Sequence, residues 1–448
     1  LVRNGTFILY HYLLESGMPP WTCVDNLFAT SGASAYSTAT NRLYAGWNGY
    51  TGSSPVFGGV SNRVSLNNQT WAAGGPLGPW YYPASGTSPS LAVLRNAGSR
   101  SAAAAGLYHY TTQVNQLKDG IDDATKVDIG FHYPAVSGGS WVDSDGDGLA
   151  DVVEDANGNG LVDSGEISWT NADHDGDGAL DGEEVLGGTD PKDKTSWIPK
   201  RLAAWWWDAA GTNWRHGNLG QMPLQTGTET STTNGVIENA VRIGVSTNSP
   251  LRYRVVEPNG RLNLRLDQGS VRLWFRPDWV LTNHPGGTGP LVSIGDAYNT
   301  TLGWWAWYLE YPTNSTSWLR MKFGQQNGVV CYNGEFNTPG LFNSPTWHEL
   351  ECIYNSVFTR SARDGALLPA SSNVGVFPTL LPTGAGVGQG FAVGADITGQ
   401  SHVGGTVDCV ETFNYSLDTV DRVRAQQLTI GVVTNTGVPR LEFRRNYE

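Results

Sequence analysis

Apolar and polar residues alternate in short runs through the second half of this chain. The clearest are Ala240-Val-Arg-Ile-Gly244, Gly269-Ser-Val-Arg-Leu-Trp-Phe-Arg-Pro277, Leu291-Val-Ser-Ile-Gly295, Trp318-Leu-Arg-Met-Lys-Phe323 and Trp347-His-Glu-Leu-Glu-Cys-Ile-Tyr354. A period of two sends successive side chains to opposite faces, so each run predicts a strand. Gly, Asn and Pro clusters between the runs predict turns, and the set predicts an antiparallel β-sandwich of jelly-roll type. Before residue 140 the runs are shorter and less regular: Phe7-Ile-Leu-Tyr-His-Tyr-Leu-Leu14, Trp21-Thr-Cys-Val24, Asn41-Arg-Leu-Tyr44 and Asn62-Arg-Val-Ser-Leu66. None is long enough for an amphipathic helix, and irregular rungs of this kind fit the C-terminal end of a parallel β-helix. The chain is therefore expected to be mainly β.

Between these regions the pattern changes to steps of twelve. Asp143, Asp145, Asp147, Asp151 and Glu154 occupy positions 1, 3, 5, 9 and 12 of one loop, with Gly148 at 6 and Leu149 at 7. Asp155, Asn157, Asn159, Asp163 and Glu166 repeat the spacing with Leu161 at 7, and Asp173, Asp175, Asp177, Asp181 and Glu184 repeat it again with Ala179 at 7. This is the ligand spacing of an EF-hand-type calcium loop. Ca²⁺ is a hard cation that takes six to eight oxygens; glycine at 6 permits the bend, residue 7 offers its carbonyl, and Glu at 12 closes the shell with two oxygens. A disordered acidic linker would not place Gly at 6 and Glu at 12 three times.

The charge sharpens this reading. The stretch holds 14 Asp and Glu and no Lys or Arg, whereas the remaining 27 acidic and 28 basic residues nearly cancel, so the net −13 belongs to the loops. Without metal, like charges a few ångströms apart repel and the segment loosens. The turn-rich Pro134-Ala-Val-Ser-Gly-Gly-Ser140 before the first loop is not an entering helix, and Glu154 runs directly into Asp155. Head-to-tail loops ending in Glu183-Glu184-Val-Leu-Gly-Gly-Thr-Asp-Pro191 resemble bacterial thrombospondin type 3-like calcium repeats and, more loosely, dockerin. That resemblance covers about 50 residues. It implies a calcium-stiffened spacer, in which neighbouring repeats can share ligands.

At 448 residues the chain is too long for one ordinary domain. The expected division is a β-rich domain over 1–140, calcium repeats over 141–196, a sandwich over 197–430, and 431–448 as a linker to a further domain. Basic clusters are absent, which disfavours nucleic acid, and no apolar run is long enough to span a membrane. The chain starts without Met and without a signal peptide, and reads as part of something longer. Calcium affinities of extracellular modules, on the order of 10⁻⁴–10⁻³ M, suit a secreted or surface protein. Among Cys23, Cys331, Cys352 and Cys409, the preferred disulfide is Cys331–Cys352, with buried thiols as the alternative. Asn4, Asn68, Asn299, Asn314 and Asn414 begin glycosylation sequons.

Two further resemblances bracket the loops. Asp25-Asn-Leu-Phe28, Gly75-Pro-Leu-Gly-Pro-Trp-Tyr-Tyr-Pro83 and Val127-Asp-Ile-Gly-Phe-His-Tyr133 resemble the closing segment of large secreted β-helix proteins of planctomycete and verrucomicrobial type. Here His109, His132, Tyr108 and Tyr110 read as rung-stacking residues. In the C-terminal half, Trp205-Trp-Trp-Asp208, Val271-Arg-Leu-Trp-Phe-Arg-Pro277, Trp347-His-Glu-Leu…Tyr354 and Gly405-Thr-Val-Asp408…Asn414-Tyr-Ser-Leu417 resemble the ordered motifs of laminin G-like, concanavalin A-like domains. Two positions depart from the pattern, with Glu349 for a second His and Cys409 for Glu. The family makes sandwiches that bind glycans or proteins, and one branch of the wider fold cleaves β-glucans with a Glu-x-Asp-x-x-Glu strand absent here. Glu349 and Glu351 read as a solvent face, and Asp408 as structural.

The sequence offers no catalytic residues. Trp304, Trp305, Trp307 and Tyr308 are candidates for stacking on sugars or, alternatively, for core packing. The first expectation is a non-enzymatic extracellular calcium-binding protein: an adhesin, filament or matrix component whose partners are glycans or surface proteins. The alternative is a secreted polysaccharide-active enzyme with its β-helix catalytic face upstream and the sandwich as accessory module. Self-assembly through an open β-helix end is a third idea.

Overall fold

Three ladders of short parallel strands open the chain. Val2–Arg3, Trp21–Val24 and Leu43–Gly46 form one; Thr6–Phe7, Leu27–Phe28 and Gly49–Tyr50 a second; His11–Leu14 and Ser34–Ser37 a third. Val2 pairs with Cys23, Trp21 with Leu43 and His11 with Ser34, so each coil advances the chain by 21 to 23 residues. Successive strands of one coil lie in different ladders, which is the winding of a parallel β-helix.

A computed structural model of the chain describes residues 2–4, 6–7, 11–14, 21–28, 34–37, 43–50, 59–63, 71–83 (except 73), 89–114, 126–208, 214–243 (except 228 and 233–234), 250–295 (except 281–282 and 285), 303–311, 319–325, 329–336, 345–368 and 375–417 (except 377–378 and 380). The chain divides into two compact units, Leu1–Ala172 and Asp173–Glu448. The boundary falls between the second and third acidic loops.

The corner between the first two ladders explains how such short strands hold register. Asp25 and Trp47 take left-handed backbone angles (φ 62° and 52°) that turn the chain sharply. The asparagine that follows each is fully buried. Asn48 accepts from the Asn26 amide through Oδ1 (3.0 Å) and donates through Nδ2 to the Cys23 carbonyl (2.8 Å); Asn62 accepts from the Asn48 amide in turn (3.1 Å). A carboxamide offers both donor and acceptor, so the stack satisfies corner amides that would otherwise be buried unpaired. Beside it Phe28 and Tyr50 stack at 5.3 Å.

The second unit is an antiparallel sandwich. One sheet runs Thr230–Thr232, Ala240–Ile243, Gly405–Phe413, Gly269–Pro277, His348–Tyr354, Thr359–Arg363, Ala366–Leu367, with Arg201–Trp205 also paired to Gly405–Phe413. The other runs Arg252–Tyr253, Phe391–Val393, Thr288–Ile294, Trp305–Glu310, Leu319–Gln325, Val329–Phe336. All four motif segments of the laminin G-like resemblance therefore contribute to the first sheet. Val271, Leu273 and Phe275 from that sheet meet Trp305, Trp307 and Phe323 from the other in one core. Trp305 packs edge-on to Tyr354 at 5.4 Å.

Several expectations are corrected here. Cys352 is buried, and the side chain of Cys331, its expected disulfide partner, lies outside the described residues. The two lie on strands of different sheets. Asn414 is fully buried, donates to the Ile198 carbonyl (2.9 Å) and accepts from the Lys200 amide (2.8 Å), so it is no glycan acceptor. The Nδ2 of Asn4 is buried as well. Asn68, Asn299 and Asn314 lie outside the described residues.

Candidate metal centre

The approach to the first loop is a β-hairpin, Val136–Ser137 with Ser140–Trp141, followed by a four-residue helix Asp151–Glu154 at the loop's exit. Inside the loop the first aspartate acts as scaffold. Asp143 Oδ1 accepts from the amides of Gly146 (2.7 Å) and Asp147 (3.3 Å), and its Oδ2 accepts from Gly148 (3.0 Å). Asp151 Oδ1 accepts from the Ser144 amide at 2.7 Å. Gly148 sits at φ 103°, a conformation that side chains rarely adopt, which is why position 6 is glycine.

The third loop repeats this wiring. Asp173 accepts from Gly176, Asp177 and Gly178 at 2.8–3.0 Å, and Asp181 from His174 at 2.9 Å. Gly178 sits at φ 97°, and Glu184 lies in the exit helix Asp181–Gly187. In both loops three aspartates, Asp143/Asp145/Asp147 and Asp173/Asp175/Asp177, bring one oxygen each within 4.8 Å of the others. These clusters could hold a metal ion.

A second observation bears on the third loop. Asp177 and Glu184 are fully buried, Asp177 Oδ2 and Asp175 Oδ2 meet no hydrogen-bond donor, and Glu184 has the Thr189 side chain as its hydrogen-bond partner. Buried carboxylate oxygens without donors are costly unless a cation faces them. The electrostatics agree. Burial, reinforced by neighbouring carboxylates, pushes Asp145 and Glu184 up to about 7 and Asp173 and Asp177 up to about 6. The donor set, carboxylates with the Ala179 backbone at position 7, suits a hard cation such as Ca²⁺.

The second loop differs. Asn157 and Asn159 both donate through Nδ2 to Asp163 Oδ2, at 2.8 and 2.6 Å, and Glu166 accepts from the Asn157 and Asp163 amides. The two asparagines hold the exposed Asp163 below its usual value. Leu161, the carbonyl donor at position 7, is 64% exposed. Among the described residues this loop gathers no carboxylate cluster of its own. Its first ligand position has another partner: Asp155 Oδ2 meets His109 Nε2 at 2.9 Å, and His109 Nδ1 lies 3.4 Å from Asp151 Oδ2 of the first loop. The imidazole is buried edge-on to Trp169 at 4.9 Å. His109 was read as rung-stacking; it clamps the two loops instead, across 46 residues that no local pattern could bridge.

The pH dependence of the metal site has a definite sign. Carboxylates raised to about 6 and 7 bind more protons in the folded, metal-free chain than in the unfolded one between pH 4 and 7. Metal-free stability then falls as pH rises through that window. A cation replaces those protons. The increase in Tm on adding 10 mM CaCl₂ over EGTA is expected to be small at pH 5 and several-fold larger at pH 7.5, read by scanning calorimetry.

The aromatic candidates divide by face. Trp305 and Trp307 are fully buried in the core, so their sugar-binding assignment is withdrawn. Trp304 and Tyr308 lie on the opposite face and are half-buried. Glu349 and Glu351 are not solvent-facing: both are at most 1% exposed, beside the buried Arg272. The outer face of their sheet is itself covered, with Trp206, Ile237, Trp274 and Cys409 forming a second cluster. Asp408 accepts from the amides of Val236 (2.8 Å), Ile237 (3.1 Å) and Cys409 (2.7 Å), and so fixes the turn before Ala240.

Among the described residues no helix is long and apolar enough to cross a membrane. The chain matches no protein-family profile and no curated protein sequence. Three solved structures illustrate what it is similar to in shape. The fourth domain of the extracellular arabinanase AbnA from Geobacillus stearothermophilus, solved with arabinotriose, shares 15% identity over 52% of this chain and 100% of that one, with a TM-score of 0.36. The binding domain of botulinum neurotoxin serotype D shares 10% over 51% of this chain at a TM-score of 0.33, and this chain spans 52% of its length. A heptameric SAP-like pentraxin from Limulus polyphemus shares 13% over 36% of this chain and 71% of that one, with a TM-score of 0.27.

Proposed function

We propose that this chain is an extracellular, calcium-binding structural or adhesive protein. In this reading residues 1–140 are the end of a β-helix, 141–196 are calcium repeats of thrombospondin type 3-like kind, and 197–430 are a laminin G-like sandwich that binds a glycan or a surface protein. The single observation that carries it is the third loop, where Asp175 Oδ2 and Asp177 Oδ2 meet no donor within a converging carboxylate cluster. The ion has a mechanical task, because that loop is joined to the sandwich. Arg265, 3% exposed, donates to the Asp177 carbonyl at 2.7 Å, and a Cβ on Gly178 would lie 2.6 Å from Leu202. Ordering the loop therefore orders the edge of the binding module. Calcium supplies the charge that lets the carboxylates approach one another; the chain supplies the cage, the exit helices and the Arg265 anchor.

Limited proteolysis tests this reading. With 10 mM CaCl₂ the segment 141–196 is expected to resist a protease such as Glu-C, and with EGTA to be cut there first. Equal cleavage in both conditions would contradict the stiffened-spacer reading.

A further inference from the structure

We propose that the outer face of the second sheet carries a saccharide subsite, walled by Trp304 and Tyr308, that takes one neutral sugar ring. The proposal rests on reading the sandwich as a binding module, and it names where and what the module binds.

The site follows from alternation in one strand. Trp305, Trp307 and Leu309 of Trp305–Glu310 are fully buried in the core. Ala306, Tyr308 and the preceding Trp304 must then face outward. Between the two aromatic residues the sheet carries only small side chains, since Ala306 pairs with Gly324 on one neighbouring strand and with Ser293 on the other. A Cβ added to Gly324 would lie 2.6 Å from Trp304 Cη2 and 3.3 Å from Tyr308 Cε1. Both rings thus occupy the space over Gly324, and the recess opens on the other side of the strand, over Ala306 and Ser293. The recess measures about 200 Å³ and its rim includes Thr288, Asp396 and Ser401. That volume is below the roughly 300–1,000 Å³ of sites that enclose drug-sized ligands, and fits a single ring.

The chemistry selects the class of ligand. Two aromatic rings over a small floor present apolar, quadrupolar surface that suits the C–H face of a sugar and not an anionic group. Asp396 fixes the sign of the rim. Its Oδ1 accepts from the Thr398 amide and hydroxyl and from the Gln400 amide (2.7–3.0 Å), and its Oδ2 from the Ser401 amide (2.8 Å). A carboxylate held this firmly repels uronates and sialic acids. Oδ2, with a single donor, retains an acceptor position for a sugar hydroxyl.

The test uses the full chain in 10 mM CaCl₂ and isothermal calorimetry with xylohexaose, cellohexaose, laminarihexaose and arabinohexaose, and with oligogalacturonate as the charged control. Trp304→Ala and Tyr308→Ala are measured beside wild type, each checked for an unchanged Tm. Ala306→Leu, which fills the floor without removing a ring, is the variant to use if an aromatic substitution unfolds the sandwich. The expected result is that wild type binds at least one neutral hexasaccharide and that the variants weaken it about five-fold or more. Binding that survives all three variants would overturn the subsite while leaving the module reading intact. Preferential, variant-sensitive binding of oligogalacturonate would overturn the neutral assignment. A wild type that binds no saccharide would overturn the subsite and the glycan half of the module reading together.

Discussion

Replacing Glu184 with Gln is expected to abolish most of the calcium-dependent stabilisation of the sandwich. Glu184 is the position-12 residue of the third loop, is fully buried, and lies close to Asp173, Asp175 and Asp177, with the Thr189 side chain as its hydrogen-bond partner. Position 12 is where this loop spacing calls for a carboxylate that supplies two oxygens. Altering outer partners of a metal already lowers affinity about 10–100-fold, so loss of this carboxylate is expected to cost about 100-fold or more. The effect reaches the sandwich through Arg265, which holds the Asp177 carbonyl, and through Asn414, whose Nδ2 lies 3.4 Å from the same oxygen. With a dissociation constant on the order of 10⁻⁴–10⁻³ M, 10 mM calcium stabilises the folded state by about 1.4–2.7 kcal/mol. For a unit of this size that is an increase in Tm on the order of 5 °C. Glu184→Gln should lose that increment while leaving the metal-free Tm close to wild type. An unchanged calcium increment in the variant would remove the third loop from the account.

Replacing Arg272 with Leu is expected to destabilise the sandwich by about 3–5 kcal/mol, the range for breaking a buried ion pair from one side. Arg272 lies on the strand Gly269–Pro277, 5% exposed, where Glu411 from one neighbouring strand pairs with its guanidinium and Glu349 from the other lies 3.6 Å away. Burial alone would lower the Arg272 pKa, but Glu411, Glu349 and Glu351 hold it above its ordinary value. Burial would likewise raise Glu411, which Arg272 and Arg201 keep below the usual range. Glu349 is held well above its usual range, mainly by burial. Leucine would leave Glu411 with only Arg201, at 2.8 Å, as counter-ion. Arg272→Leu combined with Glu411→Leu should recover part of the loss, because the buried Glu411 carboxylate is then not left with Arg201 alone. Urea unfolding midpoints measure both; a single variant within about 1 kcal/mol of wild type would show that the cluster is not a buried ion pair in solution.

These two sites mark what the sequence made legible. The run Gly269–Pro277 was readable as a strand to the residue, because a core on one side imposes alternation. The same alternation misplaced Glu349 and Glu351. It separates two faces but cannot say that both are covered, and the partner that makes their burial tolerable, Arg272, sits on another strand. The block of aromatics around Trp305 shows a related limit. Periodicity requires every second ring to point inward, but only the sheet pairing decides that Trp305 and Trp307 do so while Trp304 and Tyr308 do not.

The acidic loops were readable because their chemistry is local: each scaffold aspartate bonds to amides three to five residues away. His109 was not, since its carboxylates lie more than 40 residues downstream. In the first coils, Asp25-Asn26 and Trp47-Asn48 hold the recurrence that builds the asparagine stack. Two copies at that spacing, with dissimilar neighbours, carried little weight until the backbone angles placed them at equivalent corners.

The most direct measurement is calcium titration by isothermal calorimetry on the chelator-stripped full chain at pH 7.5, with Glu184→Gln in parallel. The account predicts binding at sub-millimolar to millimolar calcium, with release of protons from the raised carboxylates and at least one fewer ion in the variant. No heat of binding at millimolar calcium, or the same stoichiometry in both proteins, would contradict it.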